Sequence, residues 1–119
     1  MIVDVHSHVW KYPDHFTDEF RRQARFVAKA GQELDLRVTY EAYRQGAQSC
    51  DKTIVFGGKA RLSGVWVDDE YVAQYAKDHA DTCIGFLSVD PTQPGWEQEL
   101  EHGHQQLGLK GIKLLPMYA

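Results

Sequence analysis

Ile2-Val3-Asp4-Val5-His6-Ser7-His8 opens the chain with a run that is mostly apolar and β-branched. Such a run at the second residue reads as a buried strand, Ile2 to His6, rather than the first turns of an amphipathic helix. Outward from it the pattern alternates. After the Tyr12-Pro13 break, Phe16, Phe20, Ala24 and Val27 follow helical spacing, with Gly31 as a C-terminal stop. Thr39 caps a second helix with Tyr40, Tyr43 and Ala47 on one face. Lys52 to Gly57 is a strand that ends in the Gly57-Gly58 loop. Asp68 caps a helix whose buried stripe is Val72, Tyr75, Ala76 and His79. Cys83 to Val89 is a third strand closed by Asp90-Pro91. Pro94 to Leu107 is a helix with Trp96, Leu100 and Leu107 inward, and Gly111 to Leu115 is a fourth strand stopped by Pro116.

Strands alternating with helices, the strands nearly continuous in apolar residues, specify an α/β fold with a parallel sheet and right-handed crossovers. A doubly wound sheet and a (β/α) barrel both satisfy this pattern. No GxGxxG or GxxxxGK[ST] follows the first strand, which removes the main support for a nucleotide-binding doubly wound sheet.

The 119 residues fit one domain, 1–119, of 43% hydrophobic and 25% charged composition. No apolar stretch reaches the roughly 18 residues of a membrane span, and Asp4 and His6 interrupt any signal sequence. A net charge of -4, with no basic run longer than Arg21-Arg22, argues against nucleic acid as a partner. Cys50 and Cys83 form no CxxC and read as small buried hydrophobes, so a reducing cytoplasm is the expected compartment.

The chemistry concentrates in Asp4-Val5-His6-Ser7-His8. In a strand, residues i and i+2 project to one face about 6.7 Å apart, so two imidazoles can converge on one ion with bonds of about 2.0–2.1 Å. Three polar side chains on one face of an apolar strand have a cost that an ion or a hydrogen-bond network must offset. His102-Gly103-His104 is the internal control: on a helix, residues two apart diverge by roughly 200° and cannot face one ion. His15, His79 and His102 are placed on helices, facing solvent or core edges, without a function.

Asp4-x-His6-x-His8 after an N-terminal strand resembles the opening of the amidohydrolase superfamily of metal-dependent hydrolases. Two further segments are similar to its amidohydrolase-related branch, which holds hydrolases and non-oxidative decarboxylases. They are Ile84-Gly85-Phe86-Leu87-Ser88-Val89-Asp90-Pro91, like "GF..VDP", and Gly108-Leu109-Lys110-Gly111-Ile112-Lys113-Leu114-Leu115-Pro116, like "GIKLxP". The resemblance implies a (β/α)8 TIM barrel with a divalent metal at its C-terminal mouth, zinc first, with manganese or iron as alternatives. It implies His6 and His8 as metal ligands and Asp4 as a supporting partner two residues before them. Lys113 matches a lysine of the branch's fourth strand, read here as paired with a carboxylate and not as a carboxylated metal bridge. Trp10, Asp90 and Lys113 fall at the inferred mouth as candidate lining of a substrate pocket; Trp10 could equally seal the barrel top, and Asp90 suits a loop cap beside Pro91.

A full barrel takes about 250 residues, so 119 supply about four βα units, its N-terminal half. The remaining ligands and the catalytic aspartate belong to later strands, so the catalytic residues are expected beyond Ala119. The isolated chain is then expected to be inactive, and to associate with itself or with a missing C-terminal half. The expected function is hydrolysis of a small organic acid, lactone or amide through a metal-activated water. The alternatives are a decarboxylase of the same branch and a non-catalytic half-barrel that binds a partner chain. Phosphoesterases that also begin with HxH typically continue into Ser-Asp-Gly, where this chain has Val9-Trp10-Lys11.

Overall fold

The computed structural model describes residues 1–28 and 35–118; the expected helix stop at Gly31 lies outside them. The elements are β1 (Val3–His8), α1 (Asp18–Ala24) with a 3-10 turn at Arg25–Val27, α2 (Tyr40–Gly46), β2 (Lys52–Phe56), β3 (Lys59–Ala60) and β4 (Val65–Trp66). Then follow α3 (Asp69–Asp78), β5 (Cys83–Gly85), β6 (Leu87–Ser88), α4 (Trp96–Gln105) and β7 (Ile112–Lys113). β1, β2 and β5 form a parallel sheet in that order, and β6 pairs in parallel with β7. Only Phe86 separates β5 from β6, and its amide donates to the Val55 carbonyl. The expected third strand is therefore one run that gives its first half to β2 and its second to β7. The α/β class and the parallel pairing follow the sequence reading.

The core lies between this sheet and the helices. Val9, Val55, Val72, Leu87 and Leu109 are buried together, with Trp96, Leu100 and Leu107 of the α4 region packed on them. Thr39 caps α2, its hydroxyl accepting the Ala42 amide, while Asp68 holds the N-cap position of α3 without a side-chain bond. Among the described residues no helix is long and apolar enough to cross a membrane.

Five expectations need correction. β1 runs on to His8 and is not buried: Val5 is 66% exposed, because β1 lies at the edge of its sheet and is paired on one side, with β2. Phe16 does not belong to the first helix. It forms a β-bridge with Val65, so the helix begins after Thr17, and Phe26 and Val27 are exposed. The Gly57-Gly58 loop continues into the antiparallel hairpin β3–β4. His15 sits in a turn, accepting the Lys11 amide, and Cys50 is half-buried.

Candidate metal centre

The register of β1 on β2 decides which side chains share a face. Asp4 lies beside Thr53 and His8 beside Phe56, so the span from Asp4 to His8 holds one residue more than its partner span. That extra residue is a β-bulge between Asp4 and Ser7, a device that re-aims side chains. Thr53 and Phe56 are three apart on β2 and point to opposite faces. Asp4 therefore stands with Thr53 on one face, and His6 and His8 stand with Phe56 on the other. The expected single face of three polar groups is corrected to one acid and two imidazoles on opposite sides.

Asp4 supports the bulge itself. Its Oδ1 accepts the His6 backbone amide at 3.0 Å, and its Oδ2 accepts the Tyr43 hydroxyl from α2. Tyr43 Oη also lies 2.8 Å from Thr53 Oγ1. The Tyr43 hydrogen bond, followed by that of the His6 amide, holds the Asp4 carboxyl below its usual range. Burial, then the Asp4 bond, pushes the Tyr43 phenol up to about 12, so the hydroxyl remains a donor. Asp4 thus fixes His6 through the main chain and not through the ring.

On the other face the His6 and His8 rings lie 5.4 Å apart, and both pack against Phe56, a residue that sequence spacing did not single out. His8 Nδ1 is 2.7 Å from the Gly57 carbonyl oxygen. A carbonyl only accepts, so Nδ1 carries the proton and Nε2 keeps its lone pair. Burial lowers the His8 pKa, against the Gly57 bond, which keeps the ring neutral at pH 7. His6 Nε2 faces Lys113 Nζ at 3.4 Å, and that ammonium lies 4.5 Å from the Phe56 ring centre. An ammonium only donates, so it occupies the position of a cation against the His6 lone pair. Lys113 makes no ion pair among the described residues, which corrects the expected carboxylate partner; Asp4 is on the far face of the bulge.

Ser88 stands beside Lys113 in the β6–β7 register, 1% exposed, and its hydroxyl has no hydrogen-bond partner among the described residues. A buried hydroxyl without a partner is costly. Trp10 packs against His8 with ring centres 5.0 Å apart, and both line a cavity of about 450 Å3. Asp90 does not line that cavity. It is 1% exposed, with Oδ2 accepting the Arg61 amide at 2.8 Å and Oδ1 accepting the Thr92 amide and hydroxyl at 3.0 and 2.6 Å.

Those bonds make Asp90 an acid-sensitive brace between the β3–β4 hairpin and the loop that follows β6. Burial alone would raise its pKa; the Thr92 and Arg61 donors outweigh burial and hold it below 3.8. Its contribution to stability is therefore complete above the unfolded value of 3.8 and is lost as pH falls through the folded value. Asp90→Asn is expected to cost about 1–3 kcal/mol at pH 7. Its deficit against the parent should close as the pH falls below 3.8, measured by urea unfolding across pH.

The parallel β/α arrangement is shared with a solved enzyme structure. A 5-carboxyvanillate decarboxylase from Novosphingobium aromaticivorans, with bound manganese and 3-methoxy-4-hydroxy-5-nitrobenzoic acid, superposes with a TM-score of 0.67 at 19% identity. The two chains share a fold. The match covers 96% of this chain and 41% of the decarboxylase, so this chain spans about two fifths of that enzyme's length. A probable 2-pyrone-4,6-dicarboxylic acid hydrolase from Acinetobacter baumannii, with citric acid bound, is similar at 12% identity over 98% of this chain and 51% of its own, with a TM-score of 0.48. No family model matches the chain, and no curated protein matches it.

His6 and His8 present two neutral-capable imidazoles to one side of the sheet, with a cation already against one of them. Among the described residues no group of three or more His, Cys, Asp or Glu comes together to hold an ion. The pair fits as two ligands of a larger set, since a catalytic zinc takes three from protein.

Proposed function

We propose that this chain is the metal-binding, N-terminal half of an amidohydrolase-type (β/α)8 barrel enzyme, a hydrolase of a small organic acid, lactone or amide. The observation that carries the reading is the convergence of His6 and His8 at the C-terminal end of β1, with the His8 tautomer fixed by the Gly57 carbonyl. That tautomer leaves the Nε2 lone pair free, and there it would bind an ion as metal-ligating histidines do. A divalent ion, zinc, manganese or iron, would polarise a carbonyl and lower the pKa of water there. Lys113 would supply positive charge beside His6, and the Ser88 hydroxyl a hydrogen bond. The catalytic acid–base group and the remaining ligands would come from strands outside the described residues, in a longer chain, a second copy or a separate half. Both free cysteines and the charge balance suit the cytoplasm. A second reading, non-oxidative decarboxylation with the same metal, has support from the manganese-bound decarboxylase of shared fold.

Calorimetric titration of the purified chain with Zn2+ or Mn2+ tests the ligand assignment. His6→Ala and His8→Ala are each expected to weaken binding at least about tenfold, the scale on which such shells act, while His102→Ala leaves it unchanged. Equal binding in all three variants would contradict the assignment.

A further inference from the structure

The cavity of about 450 Å3 next to His8 lies within the roughly 300–1,000 Å3 range of small-molecule pockets. Its walls are mostly apolar, Trp10, Phe16, Phe20, Leu36, Val65 and Leu115, with Gln23, Ser63 and Tyr118 as polar members, and no charged side chain among the described residues lines it. Phe16 stacks on Phe20 and meets Trp10 edge-on, with ring centres 5.1 Å apart in both pairs, so one wall is continuous aromatic surface. The indole N–H of Trp10, the polar atom of that wall, is already given to the Leu36 carbonyl. His8 and Tyr118 are the titratable rings that line it, and the structure commits His8 Nδ1 to Gly57.

We propose that this cavity binds an uncharged, apolar group of the substrate, joined to the carbonyl or carboxyl group that reacts beside His8. The proposal rests on the metal-centre reading for the reacting end and on the cavity alone for the apolar end. An engineered apolar cavity of about 150 Å3 already takes benzene, so this one has room for a substituted aryl or a medium-length alkyl group. A second carboxylate on that group would lie against mostly apolar walls without a cation to pair with, a heavy penalty. The pocket therefore selects mono-functional substrates and rejects diacids whose second acid group points into it.

The test uses the full 119-residue chain and two fluorescent probes of similar skeleton, neutral N-phenyl-1-naphthylamine and anionic 8-anilinonaphthalene-1-sulfonate. The neutral probe is expected to bind saturably and at least about tenfold tighter than the sulfonate, the order set by burying an unpaired charge. Ala24→Trp, which fills the cavity from α1, is expected to abolish the neutral probe's binding while circular dichroism stays unchanged. Equal affinity for the two probes, or neutral binding that survives Ala24→Trp in a folded chain, would overturn the proposal. Should that variant unfold, the probe ratio in the parent chain decides. With Zn2+ present, benzohydroxamate is expected to displace the neutral probe at lower concentration than acetohydroxamate or a succinic monohydroxamate. Zinc-dependent hydroxamate binding with no preference for the aryl group would overturn the pocket and keep the metal centre. Probe binding that no hydroxamate displaces would overturn the metal centre and keep the pocket.

Discussion

Lys59→Met should destabilise the chain by about 3–5 kcal/mol, the cost of leaving a buried charge without its partner. Lys59 Nζ donates to Asp69 Oδ2 at 2.8 Å and to Glu99 Oε2 at 2.9 Å, and the Lys59 and Asp69 side chains are each 4% exposed. Burial alone would lower the lysine's pKa. The Asp69 and Glu99 carboxylates outweigh it and hold the ammonium above its usual value, so the cation persists at neutral pH. The pair ties the β3 hairpin to the first turn of α3 and to α4, while Asp69 Oδ1 accepts the Ser88 amide at 2.9 Å. Removing the ammonium strands Asp69, whose pKa burial already pushes up from 3.8. An acid raised in the folded state loses stability as pH rises, so the deficit should be largest at neutral pH and shrink towards pH 3.8. Lys59→Met/Asp69→Asn should recover part of the loss, because Asn sheds the charge and still accepts the Ser88 amide. Urea unfolding of the parent, single and double variants checks this; a double variant as unstable as the sum of its parts would refute the account.

Gly57→Ala should cost about 1–3 kcal/mol through overpacking and weaken metal binding as well. A Cβ at Gly57 would sit 2.5 Å from Val67 Cβ and 2.6 Å from Cγ1. Val67 is fully buried, and its β-branched side chain has few rotamers to retreat into. The strain must then move the backbone, and with it the carbonyl that fixes His8. The neighbouring Gly58→Ala supplies the contrast. Its Cβ would meet Leu115 Cδ1 at 2.7 Å, the far end of a flexible side chain that can turn away. Thermal unfolding and zinc titration of both variants should separate them, with Gly57→Ala losing stability and affinity together and Gly58→Ala losing neither strongly.

Local pattern made most of the scaffold legible. The β-branched run of β2, the Thr39 cap and the inward stripe of α4 each depend on neighbours in sequence, and each occurs as read. What escaped depends on distant partners. The bulge that turns Asp4 away from His6 exists because β1 must keep register with β2 about 50 residues later, and the alternation of Asp4, His6 and His8 carries no mark of it. The β3–β4 hairpin is held by the Phe16–Val65 bridge and by a lysine whose carboxylates lie 10 and 40 residues away, so Lys59 reads as surface charge until the fold is known. That His6 and His8 share one face was legible from spacing, whereas Phe56 and Ser88 stand beside His8 and Lys113 through strand register.

The central claim is that His6 and His8 present their Nε2 atoms to one divalent ion, and long-range 1H–15N NMR of the histidine rings during a Zn2+ titration tests it most directly. Before zinc, His8 should be the Nδ1–H tautomer at pH 7; on addition, the Nε2 resonances of His6 and His8 should shift together at one equivalent while His79 and His102 stay in place. An Nε2–H tautomer for His8, or shifts confined to the other histidines, would contradict the account.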